Sequence, residues 1–309
     1  LTEADTRLHV LVLGSTGDQG YPQVAQAVAA GHRVRAAVRD AGRARSLLGS
    51  QVELSPVDYG EPATLGAAMR DVDVVLANYP SSSFNDGGWL LEAAEITGEA
   101  ARKAGVRLIV FNTSLPQRDR RMDYPAHDIR YQMREALAAS GVPVTTLAPV
   151  VFMGNLLRGW AFPHIADENR FVYPHRSELE VSWICQEDLA ALMLAAAARP
   201  ALAGSVVNVG GPQLLRGEDV ASILSSVTGR TITFTPQPVD DFCAVMRAQL
   251  RSRDPAQRES MIEQLRRIYR WYNDSPERPF RVDMRPVLEL LPVQLTTFES
   301  WARRQRWSR

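Results

Sequence analysis

Residues 8–40 read LHVLVLGSTGDQGYPQVAQAVAAGHRVRAAVRD: a β-rich apolar run, a glycine-rich turn, a helical pattern and a second β-rich run. The turn is Gly14-Ser15-Thr16-Gly17-Asp18-Gln19-Gly20. Glycines three apart at the end of a strand permit a tight turn. They also leave backbone N–H groups bare at the start of the next helix, where aligned peptide dipoles favour an anion. A glycine triplet alone carries little information. Here it sits between a first strand and a helix, with a second strand ending about 20 residues on, the setting that holds a dinucleotide's pyrophosphate.

The same alternation continues outward. Candidate strands over 8–15, 33–39, 52–58, 72–79, 107–114 and 142–152 alternate with candidate helices over 19–30, 41–48, 61–70, 86–104 and 127–140. Each strand is nearly apolar throughout, as a sheet covered on both faces requires. Gly31, Gly105 and Gly141 stand where helices should end. The pattern predicts an α/β fold, a doubly wound parallel sheet of the Rossmann type over 1–152, with a smaller substrate-capping lobe over 153–309. The helix and strand within 186–211 should return to the sheet. Residues 153–182 read as aromatic and loop-like. Residues 239–272 read as helical, interrupted near Asp254-Pro255. Met261, Leu265, Ile268, Tyr269 and Tyr272 recur there at helical spacing, a face for packing on the body or on a second subunit, compatible with a homodimer.

Composition excludes several classes. Among 309 residues, Lys+Arg and Asp+Glu both number 35, so the charge footprint of a nucleic-acid binder is missing. Cys185 and Cys243 belong to no CxxC pattern and suggest neither a disulfide framework nor a zinc knuckle. His164 and His175 flank Asp167 and Glu168 without the helix-spaced pairing of a metal site, so no metal is expected. The opening LTEADTRLHV lacks the order of a signal peptide, and no apolar run approaches the ~20 residues of a membrane span. A cytoplasmic protein acting on a small molecule is the expectation.

The second strand ends in Val38-Arg39-Asp40. An acidic side chain there suits the ribose 2′-OH of NAD, whereas arginine suits a 2′-phosphate. Arg39 closes the strand and Arg43 follows one helical turn later, so NADP(H) is expected ahead of NAD(H). Asp58, ending the third strand, is placed to meet the adenine edge.

GSTGDQG, AAVRDAGR, VDY, FNTS, REALAASGVPVTTLAP and FMGN together resemble the NmrA-like family of atypical short-chain dehydrogenases/reductases. The likeness continues through WICQEDLAALML, VVNVGGPQLLRGEDVASILSSVTGR and PVQLTTFESWARR, leaving out the stretch around 240–275. It implies a cofactor site of Gly14, Thr16, Gly17, Asp18, Gln19, Gly20, Arg39, Arg43, Asp58, Tyr59, Asn78, Tyr79, Thr113 and Ser114, with Asn155 near the substrate cleft. It also implies either a reductase of quinones, dyes, ketones or phenylpropanoid double bonds, or a non-catalytic NADP-binding sensor.

Ordinary short-chain reductases carry a Tyr-x-x-x-Lys pair on the helix that here reads HDIRYQMRE, residues 127–135. Aligned on REALAASGVP, Tyr131 stands at the lysine position and His127 at the tyrosine position. Lys103 is the only lysine, and it lies at the wrong end of the sheet. Ile129, Met133 and Leu137 should face the core, and His127, Tyr131 and Arg134 should share a stripe facing water or the cleft. Carbonyl reduction leaves an alkoxide, and a positioned acid contributes ~10²- to 10⁴-fold. Tyr131 or His127 could supply the proton, with Thr113 or Ser114 orienting the carbonyl, and quinones or activated alkenes need less help.

The segments 79–90 and 115–127 are long enough to form a movable rim. Phe84, Trp89, Tyr124, Phe152, Met153, Trp160, Phe162, Tyr173 and Trp183 make that region aromatic, and Tyr124, Phe152, Asn155 and Trp160 are the expected substrate contacts. The reading is an NADPH-dependent reductase of an aromatic, quinonoid or polyketide-like carbonyl compound. The alternative is a cofactor-binding redox sensor, and a weaker third is a redox-neutral isomerase or cyclase.

Overall fold

The apolar run that opens the alternation becomes β1 (His9–Val12), in which every residue is buried. In this computed structural model residues 7–80 and 87–308 are described. After β1 come α1 (Gly20–Ala29), β2 (Arg33–Val38), α2 (Ala41–Leu48), β3 (Glu53–Pro56), α3 (Pro62–Ala68), β4 (Val74–Asn78) and α4 (Gly88–Ala104). These are followed by β5 (Leu108–Asn112), α5 (Pro125–Ala139), β6 (Val144–Pro149), a 3-10 turn (Met153–Leu157), α6 (Phe162–Glu168), β7 (Arg170–Tyr173) and α7 (Gln186–Ala197). The chain ends with β8 (Val206–Val209), α8 (Gly217–Thr228), β9 (Thr233–Pro236), α9 (Val239–Gln249), α10 (Pro255–Asp274), α11 (Met284–Leu290) and α12 (Phe298–Arg303).

Seven strands pair in the order β3-β2-β1-β4-β5-β6-β8, all parallel. Successive side chains leave a strand on opposite faces, so each apolar strand feeds two cores. Val10 and Val12 join Val24 and Ala27 of α1, Ala44 and Leu48 of α2, and Leu189 and Met193 of α7. Leu11 and Leu13 join Leu65 of α3, Leu90 and Ala94 of α4, and Ile129, Met133 and Leu137 of α5. The winding reverses between β1 and β4, and in open α/β sheets ligands bind beyond the carboxyl ends of the strands at that reversal. As expected, α7 and β8 return to this body, with β8 paired to β6.

The region after residue 150 is more ordered than its sequence suggests. Residues 153–182, expected to be loop-like, hold the 3-10 turn, α6 and β7. A proline in its first turn starts α6, and Asn169 in the left-handed region ends it, at φ 54°. The strand β7 has four residues and pairs only with β9, far along the chain. So short a strand has no local signature. The short helices α11 and α12 were likewise illegible.

Asp254 caps α10 by accepting the Gln257 N–H, so the Asp-Pro break is a helix start. The Met261, Leu265, Ile268 and Tyr272 face is buried within its own chain. Of the expected rim, 79–90 lies partly outside the described residues, Phe84 included. Residues 115–124 are tied down: Asp128 accepts the N–H groups of Met122 and Asp123, and Gln117 N donates to Asn208 Oδ1. Among the described residues no helix is long and apolar enough to cross a membrane.

Candidate functional site

The turn after β1 needs glycine for steric reasons. Gly14 has φ +66°, and a Cβ there would lie 3.0 Å from Asn78 O. A Cβ on Gly20 would lie 2.2 Å from Gly14 O, an overlap no side chain tolerates. The loop closes on itself, with Gly17 N donating to Gly14 O at 3.0 Å and Tyr21 N to Gly17 O at 2.9 Å. The Gln19 side chain makes no capping bond to α1, and the first turn of α1 carries no acid. Tyr21 N–H is thus taken and Pro22 has none, so the Gly20 N–H, which no side chain caps, is the donor the helix start offers beside the backbone cradle, a fit for a phosphate group. Thr16, Gly17 and Asp18 lie exposed along its rim.

At the end of β2, Asp40 caps α2 by accepting the Arg43 N–H at 3.1 Å. Its carboxylate is thereby given a structural task. Arg39 and Arg43 are exposed on the same turn, and their guanidinium groups make no hydrogen bond or ion pair among the described residues. Tyr59 reaches back to donate to Asn78 O at 3.1 Å. Exposed Asp58 accepts the Gly60 N–H at 2.9 Å. Two uncommitted guanidinium groups and a committed carboxylate favour a 2′-phosphate over a free hydroxyl.

A buried amide network joins α1 to the ends of β4 and β5. Gln23 Nε2 donates to Asn78 Oδ1 at 2.9 Å, and Asn78 Nδ2 donates to Gln23 Oε1 at 2.7 Å and to Leu13 O at 3.0 Å. Asn112 Nδ2 donates to Asn78 Oδ1 at 2.9 Å and also to Gln19 Oε1. Ser114 N donates to Asn112 Oδ1 at 2.8 Å, and Ser114 Oγ to Gln19 Oε1 at 3.0 Å. Ser114 is held at φ 59°, a strained region for a non-glycine residue and one that recurs at functional sites. Thr113 is fully buried, its hydroxyl donating to Leu115 O at 2.6 Å. Tyr79 turns into the core against Tyr59 and Phe111. Gln23 and Asn112 were not singled out by sequence reading, although Asn112 stands inside FNTS.

The structure corrects the expectation for α5. His127 does not share a stripe open to water or the cleft: it is 2% exposed, with Nδ1 2.9 Å from Pro116 O and Nε2 2.7 Å from the Tyr272 hydroxyl. A carbonyl only accepts, so Nδ1 carries the proton and Nε2 accepts from Tyr272. Burial lowers its pKa to about 4. It is neutral near pH 7, with both ring nitrogens engaged, and has no proton to give. Tyr131 is half-buried, with the Arg134 guanidinium 4.5 Å from its ring centroid and no hydrogen bond to its hydroxyl among the described residues.

The buried cation of this helix is the preceding residue, Arg130, which sequence reading passed over. It is 2% exposed and donates to Pro80 O at 3.0 Å and to Met133 Sδ at 3.4 Å. Among the described residues no carboxylate pairs with it. Burial lowers its pKa to about 10, which leaves it cationic at neutral pH.

The expected substrate contacts divide. Tyr124 is half-buried, its ring 5.6 Å from Trp271 and 5.5 Å from the Arg267 guanidinium carbon. Asn155 Nδ2 donates to the Tyr173 hydroxyl at 3.4 Å. Phe152 is in the core, and Trp160 packs 5.2 Å from both Tyr173 and Phe242, so both serve packing first. Met153, Tyr173 and Trp183 are also core residues. His164 pairs with Glu168 within α6, and His175 is buried among aromatic rings. A cavity of about 450 Å³ opens beside the glycine turn, lined by Gly17, Asp18, Tyr21, Leu157, Arg158 and Trp301 among others. Arg158 pairs with Asp18 across it, a contact no sequence signal announces.

Comparisons with known proteins agree on one family and differ in the roles its members carry. The model of the NmrA-like family matches residues 6–302. An NAD(P)H azoreductase of Xenophilus azovorans is 33% identical over 73% of this chain and 76% of its own length. A photosystem II assembly factor of Synechocystis sp. is 24% identical over 95% of this chain and 89% of its own. Among solved structures, an NADPH-dependent quinone oxidoreductase from Escherichia coli complexed with NADPH has a TM-score of 0.75. It is 19% identical, covering 95% of this chain and 98% of that one, a likeness of fold.

Proposed function

The chain belongs to the NmrA-like family, and from that premise we propose that it is an NADP(H)-dependent reductase of a flat conjugated acceptor: a quinone, an azo compound or an aromatic or polyketide-like carbonyl. The observation that carries the reading is the paired provision for a diphosphate and a 2′-phosphate: the uncapped start of α1 behind Gly14–Gly20, and uncommitted Arg39 and Arg43 beyond β2. The relative's azoreductase activity supports the reaction class.

When bound, the reduced nicotinamide supplies a hydride. This chain's residues do the rest. The Gln23–Asn78–Asn112 network sets the ends of β4 and β5 against the glycine turn, so that the cradle is rigid before anything binds. Ser114, strained at the end of β5, donates its one hydroxyl proton to Gln19 Oε1, and it orients an acceptor oxygen by exchanging that bond for one to the acceptor. Arg130 puts a fixed positive charge beside the end of β4, where negative charge develops on a reduced acceptor. Tyr131 is the proton donor for carbonyl substrates. Conjugated acceptors form stabilised anions that water protonates, so neither a lysine nor His127 is required.

The test has two stages. Calorimetric titration should show NADPH binding more tightly than NADH. NADPH consumption should then be followed with a panel of quinones, azo dyes and aromatic ketones. Ser114→Ala should slow every acceptor, whereas Tyr131→Phe should slow ketones more than quinones. Tight NADPH binding with no turnover on any acceptor would replace the reductase by the cofactor-binding sensor.

A further inference from the structure

The glycine turn contains one acid. Asp18 stands between Gly17 and Gln19, at the mouth of the cradle assigned above to a diphosphate, with its side chain 56% exposed. A carboxylate there repels the group the cradle is shaped to hold, since like charges disfavour each other at close range even when partly hydrated. The structure answers that charge from the lobe. Arg158, just past the 3-10 turn at 153–157, pairs its Nη2 with Asp18 Oδ2 across 140 residues of chain. Its backbone is anchored, because Arg158 O accepts the N–H groups of Ala161 and Phe162 at 2.9 and 2.8 Å as α6 begins. Its other guanidinium N–H donors make no hydrogen bond among the described residues, and both side chains line the 450 Å³ cavity beside the turn.

We propose that Arg158 is a positioning residue for the dinucleotide: it neutralises Asp18 so that the glycine turn accepts a diphosphate, and it thereby links cofactor occupancy to the placement of the lobe. The proposal rests on the cofactor reading above. An exposed ion pair contributes little to stability by itself, so its consequence lies in binding. Among the described residues no other ion pair joins the glycine turn to the lobe.

The test is a double-mutant cycle on the full chain, reading the Kd for NADP⁺ by calorimetry at low and at 0.5 M salt. Arg158→Ala should weaken binding about tenfold at low salt, an order of magnitude consistent with a close charge pair near a protein surface. Asp18→Asn should bind at least as tightly as the unaltered protein. Arg158→Ala placed on Asp18→Asn should then weaken binding less than threefold, and high salt should shrink the effect of Arg158→Ala alone. Arg158→Lys should recover part of the loss, and serves as the second variant if Arg158→Ala unfolds. An equal loss in both backgrounds, or no loss in either, overturns the proposal while NADP⁺ still binds the unaltered chain. Absence of binding to the unaltered chain overturns the cofactor reading itself.

Discussion

Gln23 and Asn78 face each other as a reciprocal amide pair, each donating to the other at 2.9 and 2.7 Å with neither side chain more than 5% exposed. Through it α1 is bolted to the strand on the far side of the topological reversal. Because the loop between Gly14 and Gly20 hangs from these two elements, the pair fixes the cradle's shape before a ligand arrives.

Replacing Asn78 by alanine would take from Gln23 Oε1 and Leu13 O the amide that donates to them, and would leave Gln23 Nε2 only Met193 Sδ and Asn112 Nδ2 only Gln19 Oε1, all in a dry site. Each unsatisfied buried group costs about 1–3 kcal/mol, partly relieved if water enters the space. We expect a loss of roughly 3 kcal/mol in urea unfolding and a weaker Kd for NADPH. A change below about 1 kcal/mol would mean the network is not the clamp described here.

The two arginines beyond β2 carry the choice of nucleotide. Removing both with Arg39→Ala/Arg43→Ala should weaken NADPH at least tenfold and leave NADH nearly unchanged, since a charge-assisted bond to phosphate contributes about 1.5–3 kcal/mol. Equal losses for both nucleotides in calorimetry would contradict the assignment.

His127 makes stability depend on acid. Its folded pKa, about 4, lies below the ordinary value near 6.5, so the unfolded chain binds more protons between those limits. The stability it contributes is fully present above about pH 6.5 and is lost as pH falls toward 4. His175, lowered to about 3 by burial, acts in the same direction. Thermal unfolding of His127→Gln should therefore show a shallower decline between pH 6.5 and 4 than the unaltered protein, and identical slopes would rule the account out.

Arg130 separates function from stability. Among the described residues no carboxylate pairs with Arg130; a buried cation so placed is retained at an energetic disadvantage, and an apolar side chain of similar length is often tolerated or stabilising. Arg130→Met should keep Tm within a few degrees or raise it, while lowering kcat/KM for quinones by about tenfold, an effect of electrostatic stabilisation. A large fall in Tm with unchanged turnover of the folded fraction would assign Arg130 to structure alone.

Much of the nucleotide-facing architecture was legible because its determinants are local. Apolar runs, helical spacing and the Gly14-x-x-Gly17-x-x-Gly20 turn each express sterics or periodicity within a few residues, and these suffice for a parallel sheet whose first helix starts uncapped from a glycine turn. What the helix 125–139 presents to the site was decided elsewhere. His127 is turned inward by a hydroxyl 145 residues away, on a helix the resemblance did not cover, and Arg130 is buried against Pro80 O beyond another strand. Asp18 meets Arg158 only because the chain after β6 comes back to the turn. A side chain's direction on a helix follows from which face the rest of the chain covers, and that long-range burial leaves no trace in local spacing.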